Sequence, residues 1–262
     1  MRPILSIAST TVGEAIRRRV LLIILLIGVL FLAVAPGLGV LSARSETTVL
    51  RGMMLGIIQL TSAVIAIVLT VYMLPNEIER RTIYTILSKP VQRWQFLVGK
   101  YLGAVSALAI MMCLMSVVMV LMYWYQQHAP ISEIANLLKA PMMYFVQMSL
   151  LAAVAVMFST FVSPLVNFFL SGGLYLVGSL FNPFFETLSS NNNTPAFTKT
   201  VAKFINLVLP NFANYNVQNP IINPQQTIGN ETQYFINVTV YGVLYILGLL
   251  VVGILIFDRR EV

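Results

Sequence analysis

The chain has 262 residues, of which 58% are hydrophobic and only 10% charged, and its formal charge is +7. Soluble domains carry about 25% charged residues, so a water-soluble globule is excluded. One cysteine, Cys113, and one histidine, His128, allow neither a disulfide framework nor a cysteine–histidine zinc site within one chain.

Residues 1–19 place Ile4, Leu5, Ala8, Val12, Ala15 and Ile16 at roughly helical spacing and end in Arg17-Arg18-Arg19. This predicts an amphipathic helix lying on the inner membrane surface. An apolar run over 20–40 follows. With its arginine flank it mimics a cleavable signal peptide, but further apolar runs come after it, so it reads as an uncleaved first span. Further spans are expected at 53–74, 101–125, 141–162, 165–180 and 235–257. Each run approaches the roughly 20 apolar residues that cross a bilayer. Trp94 and Tyr101 at one end of the third span, and Tyr123-Trp124-Tyr125 at the other, fit interfacial aromatic belts. Ser163-Pro164 makes a tight turn between the fourth and fifth spans. The loop over 181–234 is rich in asparagine and proline. Within it Phe197, Val201, Phe204, Ile205, Val208 and Leu209 predict an amphipathic helix ended by Pro210. That helix is expected to cap the outer mouth or to lie in the outer headgroup layer.

Lipid can satisfy no backbone hydrogen bond, so the runs are helices, and none alternates like a barrel strand. The expected fold is one all-α integral membrane domain over 1–262 with six transmembrane helices. Placing both termini in the cytoplasm puts Arg2, Arg17, Arg18, Arg19, Arg80, Arg81, Lys89, Arg93, Lys100, Arg259 and Arg260 inside. Arg44, Arg51, Lys139, Lys199 and Lys203 then lie outside, the bias expected for that orientation. Basic clusters beside apolar runs point to anionic lipid headgroups as partners, not to nucleic acid.

The segment over 75–100 carries the clearest functional signal. Asn76 can cap a new helix, with Glu79 completing a capping box. Glu77 and Arg81 pair at a favourable spacing, and Pro90 stops the helix. A short cytoplasmic helix over 77–88, tied to two spans, fits a groove on a soluble partner; a surface helix that only anchors to headgroups is the plainer alternative.

This stretch resembles the first cytoplasmic loop of type-2 ABC transporter permeases, the six-span subunits of the type V exporter fold. The matching residues are Glu79, Arg81-Thr82, Ile83 to Leu87, Ser88-Lys89-Pro90-Val91, Arg93 and Gly99-Lys100-Tyr101-Leu102-Gly103. The family's usual Gly-Thr is Arg-Thr here. Leu209-Pro210-Asn211-Phe212 and Phe257-Asp258-Arg259-Arg260-Glu261 also look like that family. The resemblance implies that the N-terminal helix is the connecting helix and that 77–88 is the coupling helix docking on a cytoplasmic ABC ATPase. Glu77, Glu79, Arg80, Arg81, Thr82, Tyr84, Leu87, Ser88 and Arg93 are its candidate contacts, and Ser163 and Pro164 a second one. The outer loop would correspond to re-entrant helices. No G-x-x-x-x-G-K-[ST] loop exists in this chain, so ATP and magnesium would belong to the partner subunit, and this chain is not expected to be an enzyme or to hold a metal or cofactor. A second permease copy, identical or related, would complete an exporter in a prokaryotic inner membrane. The alternative is a membrane scaffold subunit that docks a cytoplasmic partner without transporting anything.

Gly52 with Gly56, and Gly99 with Gly103, are spaced for close helix approach, within one subunit or across a dimer. Met111, Met115, Met119 and Met122 form a stripe on the third span, read as packing or, for the first three, as an adaptable pathway lining. Copper(I) ligation by these with Cys113 is the sharper and less favoured idea. Gln59, Gln147 and Asn167 are the polar side chains deep in spans, candidates for interhelical bonds or a pathway. No ionisable residue is expected at mid-membrane, which argues against a proton- or sodium-coupled carrier and a membrane enzyme.

Overall fold

The computed structural model describes residues 2–39, 46–73, 75, 92–180, 187–188, 195–216 and 230–259. Helices α1 (Arg2–Arg17), α2 (Arg19–Gly39), α3 (Glu46–Val71), α4 (Arg93–Gln127), α5 (Ile131–Ser159) and α6 (Pro164–Leu180) come first. They are followed by α7 (Ala196–Val208), a 3-10 turn (Ala213–Tyr215) and α8 (Glu231–Arg259). No strand occurs among the described residues. Among them, α2, α3, α4, α5 and α8 are long and apolar enough to cross a membrane, and α6 is a shorter apolar helix.

α3 and α5 form the centre of the bundle. The reason is legible in α5, where Leu150 to Val156 is a run of aliphatic residues and alanines that is buried all round. Small side chains let neighbouring backbones approach, which is how helices gain dispersion energy in lipid. α2, α4 and α8 are peripheral and turn leucine, isoleucine and valine outward, as Leu22, Leu26 and Leu30 on α2 and Leu244, Leu247 and Val251 on α8 illustrate. That pattern inverts the usual rule for soluble proteins because lipid is the solvent.

The structure differs from the sequence expectation in four ways. α4 begins at Arg93, so residues 93–100 belong to a helix of 35 residues. It is about 52 Å long, against about 30 Å of hydrocarbon, so it projects beyond the lipid core. α5 begins at Ile131 with Pro141 inside it. A proline often opens a helix, but membrane helices tolerate one internally where neighbours re-satisfy the freed carbonyl. α3 begins at Glu46, well before Met53. Finally, residues 210–216 of the expected outer loop are drawn into the bundle, with Phe212, Tyr215 and Asn216 buried.

The end that carries both termini is held by α1 and α8 against the start of α4. α1 does not merely rest on a membrane surface. It is seated on α4, where Gly99 and Gly103 leave no room for a side chain. A Cβ at Gly103 would lie 2.6 Å from Thr11 Cβ and 2.8 Å from the Ala8 carbonyl oxygen. Lys100, between the two glycines, is buried and reaches Glu14 of α1 at 3.8 Å. Arg93 donates to the carbonyls of Phe257 and Asp258 at 3.2 and 3.3 Å. A cation is favoured there because the last carbonyls of α8 carry the negative end of the helix dipole. The rings of Phe96 and Phe257 stack beside it, 6.4 Å apart.

The far end is tied by ion pairs. Arg51 of α3 meets Glu133 of α5 at 2.7 Å and donates to the Tyr123 hydroxyl of α4 at 2.8 Å. Lys139 of α5 meets Glu231 of α8 at 2.8 Å. α4 ends on His128 in the left-handed conformation (φ 45°), which lets the chain turn at once into α5.

Replacing Gly103 with valine should unseat α1, at a cost of about 1–3 kcal/mol from overpacking against backbone. Expected readouts are a lower Tm in detergent and faster tryptic cleavage at Arg17–Arg19. Gly56→Ala is the control, since a Cβ there meets nothing within 4 Å; equal effects from both substitutions would refute the seating.

Candidate functional site

Between α7 and α8 the chain abandons helix and enters the bundle. Leu209 closes α7 with its N–H on the Ile205 carbonyl. Pro210 cannot continue the helix, and residues 210–216 pass as irregular chain and a 3-10 turn between α5, α6 and α8. Two glycines make the space. A Cβ on Gly178 of α6 would lie 2.6 Å from Phe212 Cδ2 and 2.8 Å from the Pro210 carbonyl oxygen. A Cβ on Gly242 of α8 would lie 2.5 Å from the Tyr215 hydroxyl. The Tyr175 ring of α6 meets the Phe212 ring edge-on at 5.5 Å.

Non-helical backbone brings unpaired polar groups into an apolar interior, and the neighbouring helices supply partners. Phe212 N–H donates to the Gly178 carbonyl at 3.2 Å, and Asn211 N–H to the Tyr241 hydroxyl oxygen at 3.2 Å. Tyr234 donates to the Asn214 carbonyl at 2.9 Å, and Tyr215 to the Val238 carbonyl at 3.3 Å. The deepest part is a relay with one direction. Tyr144 donates to Asn216 Oδ1 at 2.7 Å, Asn216 Nδ2 to Gln59 Oε1 at 3.1 Å, Gln59 Nε2 to Gln147 Oε1 at 3.2 Å, and Gln147 Nε2 to the Phe212 carbonyl at 2.8 Å. Each amide in it accepts and donates, an arrangement in which each bond polarises the next. The relay links α3, α5 and the inserted segment, and all of its side chains are buried.

Of the residues singled out from sequence, Gln59 and Gln147 meet each other in this relay. Asn167 sits elsewhere, donating to the Ala155 carbonyl at 2.9 Å and accepting from Ser171 at 2.8 Å, and so joins α6 to α5. Met111, Met115 and Met119 are buried in the core, whereas Cys113 is exposed on the other side of α4, so they do not form one ligand set. Among the described residues no group of three or more His, Cys, Asp or Glu could hold a metal ion. Gly99 and Gly103 pack on α1. Gly52 is buried, and Gly56 has open space where a side chain would be. Ser163 is exposed and Pro164 opens α6. Arg93 grips the end of α8, while Glu77, Glu79, Arg80, Arg81, Thr82, Tyr84, Leu87 and Ser88 lie outside the described residues.

Asn216, Tyr144 and Tyr215 were missed by sequence reasoning, and Phe212 was noted only within the family-like stretch 209–212. The available signal was a mismatch in hydrogen-bonding capacity. Two glutamines deep in spans offer several donors and acceptors each, more than they can satisfy on one another.

A single interhelical hydrogen bond in a membrane is worth only about 0.6 kcal/mol net, so the relay adds little to bundle stability by attraction. Its weight lies in what is orphaned when a member goes. Gln147→Leu strands the Phe212 carbonyl and the Gln59 amide, and should cost about 1–3 kcal/mol. Gln59→Leu should cost a similar amount, and the double variant less than the sum, because the two share a bond. Thermal unfolding in one detergent reads all three, and strict additivity would rule out the relay.

Against known proteins, a family model for ABC-2 family transporter proteins matches residues 5–262. No curated protein matches the chain. The match runs from α1 through the inserted segment to the end of α8, so the whole architecture described above is covered by it. Several apolar helices of spanning length and this match together make the chain a multi-pass membrane protein. The chain belongs to the ABC-2 family of transporter proteins.

Proposed function

We propose that this permease is the transmembrane half of an ATP-driven exporter, in which a separate cytoplasmic ABC ATPase hydrolyses the nucleotide and a second permease copy, identical or related, completes the pathway. Both termini then face the cytoplasm of a prokaryotic cell, α6 completes a six-span bundle, and residues 77–88 form the coupling helix that docks on the ATPase. ATP and magnesium reside on that partner.

The observation that carries this reading is the grip of Arg93 on the last carbonyls of α8. Arg93 opens α4, which follows directly on the coupling segment, and Gly99 and Gly103 of the same helix seat α1. A displacement of the coupling segment is therefore delivered to α1, α4 and α8 together, and to α3 through the covalent chain. At the far end α3 and α8 both hold the inserted segment, through Gln59 and through Gly242, Tyr241 and Val238. Moving them relative to α5 would break the relay between Gln59 and Gln147. In this mechanism the inserted segment is a plug, closed while the relay is intact and withdrawn when the ATPase dimer closes. ATP can drive that change only by as much as it binds one state better than the other.

The relay has a consequence for the choice of cargo. The pathway offers amides, phenols and methionines without fixed charge, which suits an amphipathic or apolar substrate more than an ion. The scaffold reading requires docking without substrate movement, so vesicles holding permease and ATPase separate the two.

Reversing charge at Arg80 and Arg81 to glutamate should reduce permease-stimulated ATP turnover and transport by at least about tenfold, the effect of roughly 1.4 kcal/mol lost from docking. The Tm of the isolated permease should not move. Full stimulated turnover in that variant would remove the coupling role from 77–88.

A further inference from the structure

The inserted segment fills a socket whose hydrogen-bonding groups are matched to amides. Two of its amide units reach the deepest part. The Phe212 backbone accepts from Gln147 Nε2 at 2.8 Å and donates to the Gly178 carbonyl at 3.2 Å. The Asn216 carboxamide accepts from the Tyr144 hydroxyl at 2.7 Å and donates to Gln59 Oε1 at 3.1 Å. The socket thus offers two donor–acceptor pairs, and each is answered by one C=O and one N–H. Gln59 and Gln147 stand near the middle of α3 and α5, where lipid offers no substitute partner.

Beside the two pairs is an apolar slot. The Phe212 ring lies against Gly178, where a Cβ would come within 2.6 Å of it, and meets the Tyr175 ring edge-on at 5.5 Å. One hydrogen bond is left over. Ser62 is three residues along α3 from Gln59 and so on the same side of that helix. It is fully buried, and its hydroxyl meets no partner among the described residues. A few convergent polar groups among apolar walls, between the helices of a bundle, form the usual kind of ligand site.

The mechanism proposed above withdraws the segment, and withdrawal strands both pairs unless something else meets them. An alkyl chain meets neither. A single amide answers one pair and leaves the other. A carboxylate has no N–H for Gly178 or Gln59, and it brings charge to a depth where charge is costly. Arg51 and Lys139, the described cations of the far end, are already paired with Glu133 and Glu231. A peptide, with a C=O and an N–H at each residue, answers both pairs.

We propose that the socket of residues 212–216 is also the cargo site. It takes an uncharged, peptide-like cargo with an aromatic side group, whose amides replace those of Phe212 and Asn216 as the segment withdraws. The inserted segment is then both plug and template, and it competes with the cargo it resembles. The inference rests on the reading of the chain as a permease and narrows the cargo that reading allows.

The test takes the full-length permease in lipid nanodiscs, as wild type and as Phe212→Ala, with Phe212→Val in its place should the alanine variant fold poorly. The probe is N-acetylphenylalaninamide, which has two amides and a phenyl ring. N-phenethylacetamide keeps the ring and one amide, and N-acetylphenylalanine carries a carboxylate in place of the second amide. Ligand-observed NMR should show the probe binding the variant at least about tenfold more tightly than either analogue, a difference of roughly 1.4 kcal/mol. It should also bind the variant more tightly than wild type, whose own segment competes. Adding Gln147→Leu should abolish the preference for two amides. Equal binding of the three compounds, binding of none, or a preference that survives Gln147→Leu would overturn the inference. With the ATPase present, the probe should raise permease-dependent ATP turnover in wild type. Turnover that depends on the permease but ignores the probe overturns the cargo role and leaves the permease reading standing. Turnover that does not depend on the permease counts against that reading, and the binding comparison alone then decides the chemistry of the socket.

Discussion

Backbone that is not helical survives at membrane depth only where protein supplies its hydrogen-bond partners, and residues 210–216 are such backbone. The glycines and buried amides of the far half of the bundle follow from that requirement. Gly178 and Gly242 are glycines because Phe212 and Tyr215 occupy the volume a side chain would need. Gln59 and Gln147, which would otherwise be costly guests in hydrocarbon, are the groups that complete Asn216 and the Phe212 carbonyl. Tyrosines at 144, 234 and 241 each direct a hydroxyl at a polar group of the same short stretch. The segment and its socket are one hydrogen-bonding unit, and neither is satisfied without the other.

The opposite end of the bundle solves a different problem. There close steric fit and single cations take the place of buried amides. Arg93 closes the end of α8, while Lys100 is enclosed between α1 and α4 with Glu14 at the rim of its site. The contrast has a mechanical reading within the proposed function. Contacts at the terminal end are close-packed and join α1, α4 and α8. Those around the inserted segment are directional bonds of small net energy, which a rearrangement of neighbouring helices can exchange at modest cost.

The spans were legible because hydrocarbon imposes a length and a composition that few other environments demand. The runs near 20–40, 165–180 and 235–257 correspond closely to α2, α6 and α8, and the amphipathic pattern at 197–209 to α7. Helix starts were less legible where a helix outruns the lipid core. The Arg93–Lys100 stretch is polar enough to resemble a loop, yet it is the first part of α4, and Pro141 suggested a start that α5 ignores. The inserted segment was least legible. Its asparagines and prolines have the composition of an exposed loop, and burial is decided by partners far away in sequence, such as Gln59 for Asn216. Single-residue polarity carries no information about such partners. A tally of unsatisfied donors in the spans does, and it would have directed attention from Gln59 and Gln147 to the asparagine-rich stretch.

The seat of α1 also dictates an order of assembly. α1 is synthesised before the groove that receives it, which is built from Gly99, Lys100 and Gly103 of α4. At roughly 5–20 residues per second, on the order of ten seconds pass before that groove has been synthesised. In the interval Ile7, Ala8 and Thr11 lack the close contacts that Gly99 and Gly103 later give them. The seating of α1 is thus a late contact, available only after α2, α3 and the start of α4 have been synthesised.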